Sequence, residues 1–249
     1  MKSNREWIQW GQRDPLFGVA SWPEHERGGS QAWTDDAFYE LGRSDWADFV
    51  GRWITYGLDT SCCVEIGSGA GRLTKHLAAT FDQVLAVDVS AEMLVYAKEH
   101  IDADNVSYLV TGGVELPLAD GSATAAFSTH VFQHFDGLAD AARVFAEVAR
   151  VLGSKGSLMV HMPMHAFPAG RTGMRLLYAA RKQAGDLRGA GMRLAAGLGL
   201  ARPPMRGLSY EVAWLLEVLG ELGFTDVEFA FFSVTANQDL HSFVFARKR

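Results

Sequence analysis

The chain has 249 residues, of which 48% are apolar and 21% are charged, and its formal net charge is −6 at pH 7. This composition supplies a sizeable core and excludes wholesale disorder, and no apolar run reaches the roughly 18 residues that a membrane-spanning helix needs. The acidic balance makes nucleic acid an unlikely main partner, because phosphate binding requires a positive face. The length is typical of one large α/β domain.

Residues 1–60 predict a helical cap and contain six of the seven tryptophans. A helix is expected after Thr34, whose hydroxyl makes a good amino-terminal cap and is followed by apolar residues at helical spacing. No apolar segment precedes a cleavage site here, so we expect no export. The two cysteines, Cys62 and Cys63, are adjacent, which excludes a disulfide framework or a four-ligand zinc site and favours a reducing cytoplasm.

In residues 61–162, short apolar runs alternate with amphipathic segments. The predicted strands are Cys62–Ile66, Val84–Asp88, Val106–Val110, Ala123–Ser128 and Gly156–His161. The predicted helices are Gly71–Thr80, Ala91–Ile101 and Leu138–Leu152. Such alternation is typical of a doubly wound α/β fold, with a mostly parallel sheet covered by helices on both faces.

Residues 163–208 break this alternation and carry eight basic residues against one acid. The basic residues are Arg171, Arg175, Arg181, Lys182, Arg188, Arg193, Arg202 and Arg206. We expect this segment to be a lid over a ligand site, and its charge favours a ligand that carries a carboxylate or phosphate. Two alternatives stay open: a solvated helix face that balances an acidic body, and a lid on an anionic membrane surface that takes a lipid-like ligand.

Residues 209–249 are expected to complete the sheet. Ser209 is the predicted cap of a helix, Tyr210–Leu222, which a glycine ends. Two β-rich runs follow, Phe224–Val234 and Leu240–Arg247, and a polar turn between them predicts an antiparallel hairpin.

The strongest signal is a glycine-rich turn, Gly67 to Gly71, between the first strand and the next helix. Glycines let the backbone approach a ligand closely and take positive φ. Arg72 stands where a dinucleotide-binding loop has glycine, and Glu65 precedes the turn, which favours a cationic, phosphate-free ligand. Asp88 ends the second strand, where an acid accepts the hydroxyls of a ribose. The alternative is a plain tight turn with Asp88 as a helix cap.

These features resemble the class I S-adenosylmethionine-dependent methyltransferases of the small-molecule type, over about residues 62–162 and again in the final hairpin. The segment Arg150 to Gly156 is similar to the family's R-V-L-x-P-G-G in a degenerate form. The resemblance implies a seven-stranded, Rossmann-like methyltransferase fold, with S-adenosylmethionine as cofactor and S-adenosylhomocysteine as product. The cofactor-binding residues that it implies are Glu65, Gly67, Ser68, Gly69, Gly71, Arg72, Asp88, Val89, Met93, Val114, Glu115 and Ser128.

Within this set, the resemblance places Glu65 and the glycine turn at the methionine moiety and Asp88 at the ribose. Val89 and Met93 would lie on either side of the adenine. Where many relatives carry an acid for the adenine amino group, this chain has two glycines, so the main chain of Val114 is expected to serve.

Methyl transfer from a sulfonium needs alignment and exclusion of water, and it needs a base only when the acceptor must lose a proton. His130 directly follows the fourth strand and is the first candidate base; His134 and His161 are the others, and for each the alternative is a packing role. The expected substrate contacts are Tyr39, Gln133, Met162 and Arg175. Neither ligating carboxylates nor an H-E-x-x-H helix accompanies the histidines, so we predict no metal.

The sequence therefore predicts a methyltransferase acting on a small molecule that is partly apolar or anionic, with oxygen as the first expected acceptor atom, then nitrogen, then carbon. A protein that binds the cofactor as a sensor or scaffold, without catalysis, is the alternative from another class. An NAD-dependent oxidoreductase is disfavoured by Arg72 and by the terminal hairpin.

Overall fold

A computed structural model describes residues 1, 3–26, 29, 31–166 and 207–249. Most of the predicted lid at 163–208, including Arg175, lies outside these residues. None of the helices in the described part is long and apolar enough to cross a bilayer.

Four helical segments precede the sheet. They are α1 (Asn4–Arg13), α2 (Pro15–Val19), a short 3₁₀ helix (Pro23–His25) and α3 (Asp35–Tyr56). Helix α3 begins where predicted, because the Thr34 hydroxyl accepts a hydrogen bond of 3.2 Å from the Ala37 N–H. It ends at Gly57, whose left-handed φ of 101° lets the chain turn back towards the sheet.

One large sheet and one small sheet make up the β-structure of the described residues. The strands are β1 (Cys62–Ile66), β2 (Gln83–Asp88), β3 (Val106–Val110), β4 (Ala123–Ser128), β5 (Leu152–His161), β6 (Met164–His165), β7 (Tyr210–Glu211), β8 (Phe224–Ser233) and β9 (Leu240–Lys248). The large sheet has the order β3-β2-β1-β4-β5-β9-β8, and β9 runs antiparallel to both of its neighbours. Strands β6 and β7 pair with each other. The predicted mostly parallel sheet with an antiparallel terminal hairpin is confirmed.

Helices cover both faces of the large sheet. They are α4 (Thr74–Ala78), α5 (Ala91–His100), α6 (Leu138–Val151) and α7 (Val212–Glu221), with a 3₁₀ turn at Phe132–His134. Because alternate strand residues point to opposite faces, neighbours in β1 enter different cores. Cys63 packs in the cluster that holds Trp53 of α3, whereas Val64 packs in the cluster that holds Val148 of α6.

Two helices begin later than predicted. Helix α4 begins at Thr74 instead of Gly71, because the left-handed φ of 82° at Gly71 prolongs the turn. Helix α7 begins after β7 instead of at Tyr210, and Ser209 is not its cap. The Tyr210 N–H donates to the Pro163 carbonyl over 2.9 Å, which holds this segment extended beside β6.

Trp53 ties α3 to the sheet, since its indole N–H donates to the Ser157 hydroxyl over 3.0 Å inside the core. Ser157→Ala leaves this buried donor without a partner, so we expect the free energy of unfolding to fall by about 1–3 kcal/mol in urea denaturation. Ser154→Ala, at an exposed position of the same strand, is the matched control and should change it by less than about 0.5 kcal/mol. Equal effects of the two substitutions would show that the hydrogen bond contributes no net stability.

Candidate active site

A tight turn after β1 brings backbone to the carboxyl edge of the sheet. The Gly67 N–H donates to the Val87 carbonyl at the end of β2 over 2.8 Å. Gly67, Gly69 and Gly71 all have left-handed φ. At Gly67 a Cβ would lie 2.2 Å from Cγ2 of Val131, so a larger residue does not fit there.

Asp88 closes this turn from the end of β2. One of its carboxylate oxygens accepts a hydrogen bond from the Gly69 N–H and the other from the Ser90 N–H, each over 2.8 Å. Burial raises the pKa of Asp88, and these N–H groups limit the rise because they stabilise the charged form. The Asp88 side chain is thereby held in one orientation beside Val89 and Met93.

Glu65 is a second buried carboxyl group, in β1. Burial raises the pKa of Glu65 to about 7, while the Thr74 hydroxyl, which donates to it over 2.6 Å, and the charge of Arg72 act in the opposite direction. Asp88 adds to the rise through like-charge repulsion. Glu65 is therefore ionised less readily than an exposed carboxyl group, and a nearby ligand cation would stabilise its carboxylate form.

Arg72 forms a buried ion pair with Asp45 of α3, with side chains that are 6% and 8% exposed. Helix α3 passes very close to the turn here, because a Cβ on Gly42 would lie 2.0 Å from the carbonyl oxygen of Arg72. The Nε of Arg72 has no hydrogen-bond partner among the described residues. The ion pair thus joins the amino-terminal cap to the glycine turn.

A cavity of about 360 Å³ lies beside the glycine turn, at the carboxyl ends of β1, β2 and β4. Helices α1 and α2 form its roof through Asn4, Trp7 and Val19. The Asn4 amide donates to the Gly112 carbonyl over 2.7 Å and so ties α1 to the loop after β3. The amino-terminal cap therefore covers one side of the cavity.

The fold brings most of the predicted residues to this one cavity. Those that line it are Glu65, Gly67, Ser68, Gly69, Arg72, Asp88, Val89, Met93, His130, Gln133 and His134. Those in the described part that do not line it are Tyr39, Gly71, Val114, Glu115, Ser128, His161 and Met162.

Several of the latter are engaged elsewhere. The Tyr39 hydroxyl donates to the Ala70 carbonyl over 3.1 Å, and the Ser128 hydroxyl donates to the Ile66 carbonyl over 2.9 Å. Met162 is fully buried in the main core, away from the cavity lining. Arg175 lies outside the described residues.

Three histidines meet where the ends of β4, β5 and β9 lie side by side, and two of them, His130 and His241, line the cavity. The ring centroid of His130 lies 4.5 Å from that of His161 and 5.1 Å from that of His241, and the last two are 5.0 Å apart. Burial lowers the pKa of His161 to about 3, and desolvation also lowers the pKa values of His130 and His241. All three imidazoles are therefore neutral at pH 7.

Sequence analysis did not single out the whole of this site. The roof from α1 and α2, Asp45 and the site position of His241 were missed, because no short motif marks them. The density of tryptophans before residue 60 was the available signal for the roof.

Comparison with known proteins gives a family for the central part of the chain. Residues 64–160 match the family model of a methyltransferase domain, while no curated relative matches the sequence. The chain is similar to the structure of an S-adenosylmethionine-dependent methyltransferase from Methanosarcina mazei, at 18% identity and a TM-score of 0.59 over 79% of this chain and 96% of that one. It is also similar to magnesium protoporphyrin IX methyltransferase from Synechocystis PCC 6803, with bound S-adenosylhomocysteine, at 14% identity and a TM-score of 0.61 over 99% of this chain and 100% of that one. A third similar structure is that of the [4+2]-cyclase SpnF, at 16% identity and a TM-score of 0.59 over 99% of this chain and 96% of that one.

Residues 64–160 thus match a methyltransferase domain, and the whole chain has the fold of solved S-adenosylmethionine-dependent methyltransferases. At these identities the likeness to solved structures establishes the fold alone. Since a cyclase shares the fold, the acceptor has to be argued from the site itself.

The buried ion pair beside the turn gives a direct test of this architecture. Asp45→Ala leaves the Arg72 guanidinium buried without its counter-charge, so we expect the free energy of unfolding to fall by about 3–5 kcal/mol in urea denaturation. The matched control is Glu40→Ala, which breaks the exposed Glu40–Arg43 pair of the same helix and should leave stability essentially unchanged. A small effect of Asp45→Ala would mean that water reaches Arg72 in solution.

Proposed function

We propose that the protein transfers a methyl group from S-adenosylmethionine to a small-molecule acceptor. The observation that carries this proposal is one cavity that is lined by two buried carboxyl groups, a glycine turn and neutral histidines. When bound, the cofactor supplies an activated methyl group: the bond from the acceptor atom to the methyl carbon forms while the carbon–sulfur bond breaks and leaves its electron pair on sulfur. The protein's own contribution is alignment and exclusion of water.

The residues present fit the cofactor. Gly67 and Gly69 line the cavity and have left-handed φ, so the backbone of the turn, without side chains, faces the ligand there. Glu65 is buried near Arg72, but the Arg72 guanidinium is paired with Asp45. The Glu65 carboxylate is therefore available for the ammonium group of the methionine moiety. We assign Asp88 to the ribose hydroxyls, with Val89 and Met93 beside the adenine.

The cavity's size and roof favour a small acceptor. About 360 Å³ is near the lower end of the range for small-molecule sites. Access for a folded macromolecule would require α1 and α2 to move away, although they pack on α5 and the loop after β3. The eight basic residues between 163 and 208 favour an acceptor with an anionic group. The two cysteines are free and buried, which suits the reducing cytoplasm that we propose as its location.

His130 is the residue that we place against the acceptor. It lines the cavity at the end of β4, and its imidazole is neutral at pH 7 and can accept a proton from a hydroxyl. His161 packs against it from behind, and His134 lies on the same wall with its ring 4.8 Å from that of Trp7. Oxygen is therefore the first acceptor atom that we propose, followed by nitrogen and carbon.

Cofactor binding should depend on pH through Glu65. The groups whose charges act on Glu65 or respond to it are Arg72, Asp88, Cys63 and Tyr108. Because the ligand ammonium favours the ionised carboxylate, the affinity for S-adenosylhomocysteine should rise by up to about tenfold per pH unit below pH 7 and level off above it. Isothermal titration calorimetry between pH 5.5 and 8 measures this dependence.

Glu65→Gln should weaken binding and flatten the pH dependence near pH 7, whereas the exposed carboxylate variant Glu99→Gln should leave both unchanged. A slope that persists in Glu65→Gln would assign the titration to another group.

Methyl transfer itself is tested with radiolabelled S-adenosylmethionine and an extract that is fractionated by size and treated separately with nuclease and protease. We expect label in the small, organic-extractable fraction, and turnover about a hundredfold lower in His130→Asn with unchanged affinity for S-adenosylhomocysteine. Asparagine suits this position because His130 has a left-handed φ of 58°.

His76→Asn, on α4 outside the cavity, is the control for this substitution and should keep full turnover. Label that nuclease or protease removes would assign a macromolecular acceptor. Clear cofactor binding with no label in any fraction would favour a sensor over an enzyme.

A further inference from the structure

Three histidines that lie together beside the cavity come from strands that are remote in sequence. His130 follows β4, His161 ends β5 and His241 lies in β9. Because β5 pairs with both β4 and β9, the ends of all three strands lie side by side. Sequence spacing does not reveal this cluster, and the prediction of no metal depends instead on the lack of ligating carboxylates and of an H-E-x-x-H helix.

Two of the three side chains have an unsatisfied nitrogen. The Nδ1 atoms of His161 and His241 are buried and have no hydrogen-bond partner among the described residues. The residues themselves are 6% and 7% exposed. A buried imidazole nitrogen without a partner carries an energetic cost, and two of them side by side point to a missing ligand.

We infer that His130, His161 and His241 form a binding site for one divalent transition-metal ion of the zinc type. One ring nitrogen from each residue lies within 4.8 Å of the other two. Tetrahedral zinc with bonds of about 2.0–2.1 Å needs nitrogens about 3.3 Å apart. The ring nitrogens, which lie within 4.8 Å of one another, therefore have to move closer by up to about 1.5 Å when the ion binds.

The chemistry of the donors selects the class of ion. Three neutral imidazoles suit zinc, cobalt, nickel or copper, whereas magnesium and calcium prefer oxygen ligands. The positive charge of Arg72 helps to lower the pKa values of His130 and His241, but Asp45 balances this charge through its ion pair with Arg72. Three histidines with an open fourth position form a catalytic type of zinc site.

The open position would face the cavity, since His130 and His241 both line it. An acceptor hydroxyl bound there loses its proton to solvent more easily, because a bound divalent cation lowers the pKa of an oxygen ligand. In the metal-loaded protein the lone pair of His130 is on the ion, so the ion replaces His130 as the group that activates the acceptor. This consequence rests on the proposed methyl transfer, whereas metal binding does not.

The test is a titration of the full-length, tag-free protein with Co²⁺ after treatment with a chelator. We expect one ion per chain, the intense visible absorption of tetrahedral cobalt, and loss of that absorption when Zn²⁺ is added. His161→Gln and His241→Gln should each weaken Co²⁺ binding more than about a hundredfold. His76→Gln and His100→Gln, outside the cluster, are the matched controls and should bind as the unmodified protein does.

A shift of Tm with S-adenosylhomocysteine shows that each variant is folded, and it also separates the two proposals. Cobalt binding without any response to S-adenosylhomocysteine would support the metal site and contradict the proposed function. If a variant does not fold, X-ray absorption of the cobalt-loaded unmodified protein decides the question by counting its imidazole ligands. Absence of stoichiometric Co²⁺ binding to the unmodified folded protein, or a count below three imidazoles, would overturn the inference.

Discussion

The site depends on two carboxyl groups being buried at the carboxyl ends of neighbouring strands. Burial of Asp88 and Glu65 opposes their ionisation, and each is offset by a different means. Asp88 accepts hydrogen bonds from the backbone N–H groups of Gly69 and Ser90, so the protein itself stabilises its charge, and the bond to Gly69 holds the turn in place. Glu65 accepts one hydrogen bond, from the hydroxyl of Thr74, and its pKa stays raised to about 7. One carboxylate therefore maintains the structure, and the other is left to respond to a cation.

The amino-terminal cap belongs to the site because it is joined to the glycine turn and to the loops around it. The Asp45–Arg72 pair connects α3 to the turn, and Asn4 connects α1 to the loop after β3. These contacts join a part of the chain outside residues 64–160 to the methyltransferase domain. A cavity roofed by such a segment has a shape that the domain alone does not specify, which is consistent with one fold serving different reactions.

The sequence predicted best those features that depend on local pattern. The strand ends at Ile66 and Asp88, the glycine turn and the Thr34 cap each depend on a few consecutive residues, and the structure has them where expected. Predictions failed where a long-range contact decides the outcome. The sequence predicts a helix at Tyr210, but pairing with β6 keeps this residue extended. It predicts a substrate contact for Met162, but this side chain packs in the hydrophobic core. The meeting of His241 with His130 depends on where β9 joins the sheet, which local periodicity does not contain.

Neutral imidazoles beside the cavity fit the electrostatics of the proposed cofactor. A sulfonium is cationic, and a protonated histidine nearby would repel it across a cavity of low dielectric. Burial keeps His130, His161 and His241 uncharged, so these side chains would not repel a cationic cofactor. A divalent ion bound by the three histidines would bring positive charge back to this place. It would be compatible with a cationic sulfonium only if an ionised acceptor bound to the ion reduced that charge. The electrostatics therefore favour entry of the acceptor as an anion, or its ionisation on the ion, before the methyl group is transferred.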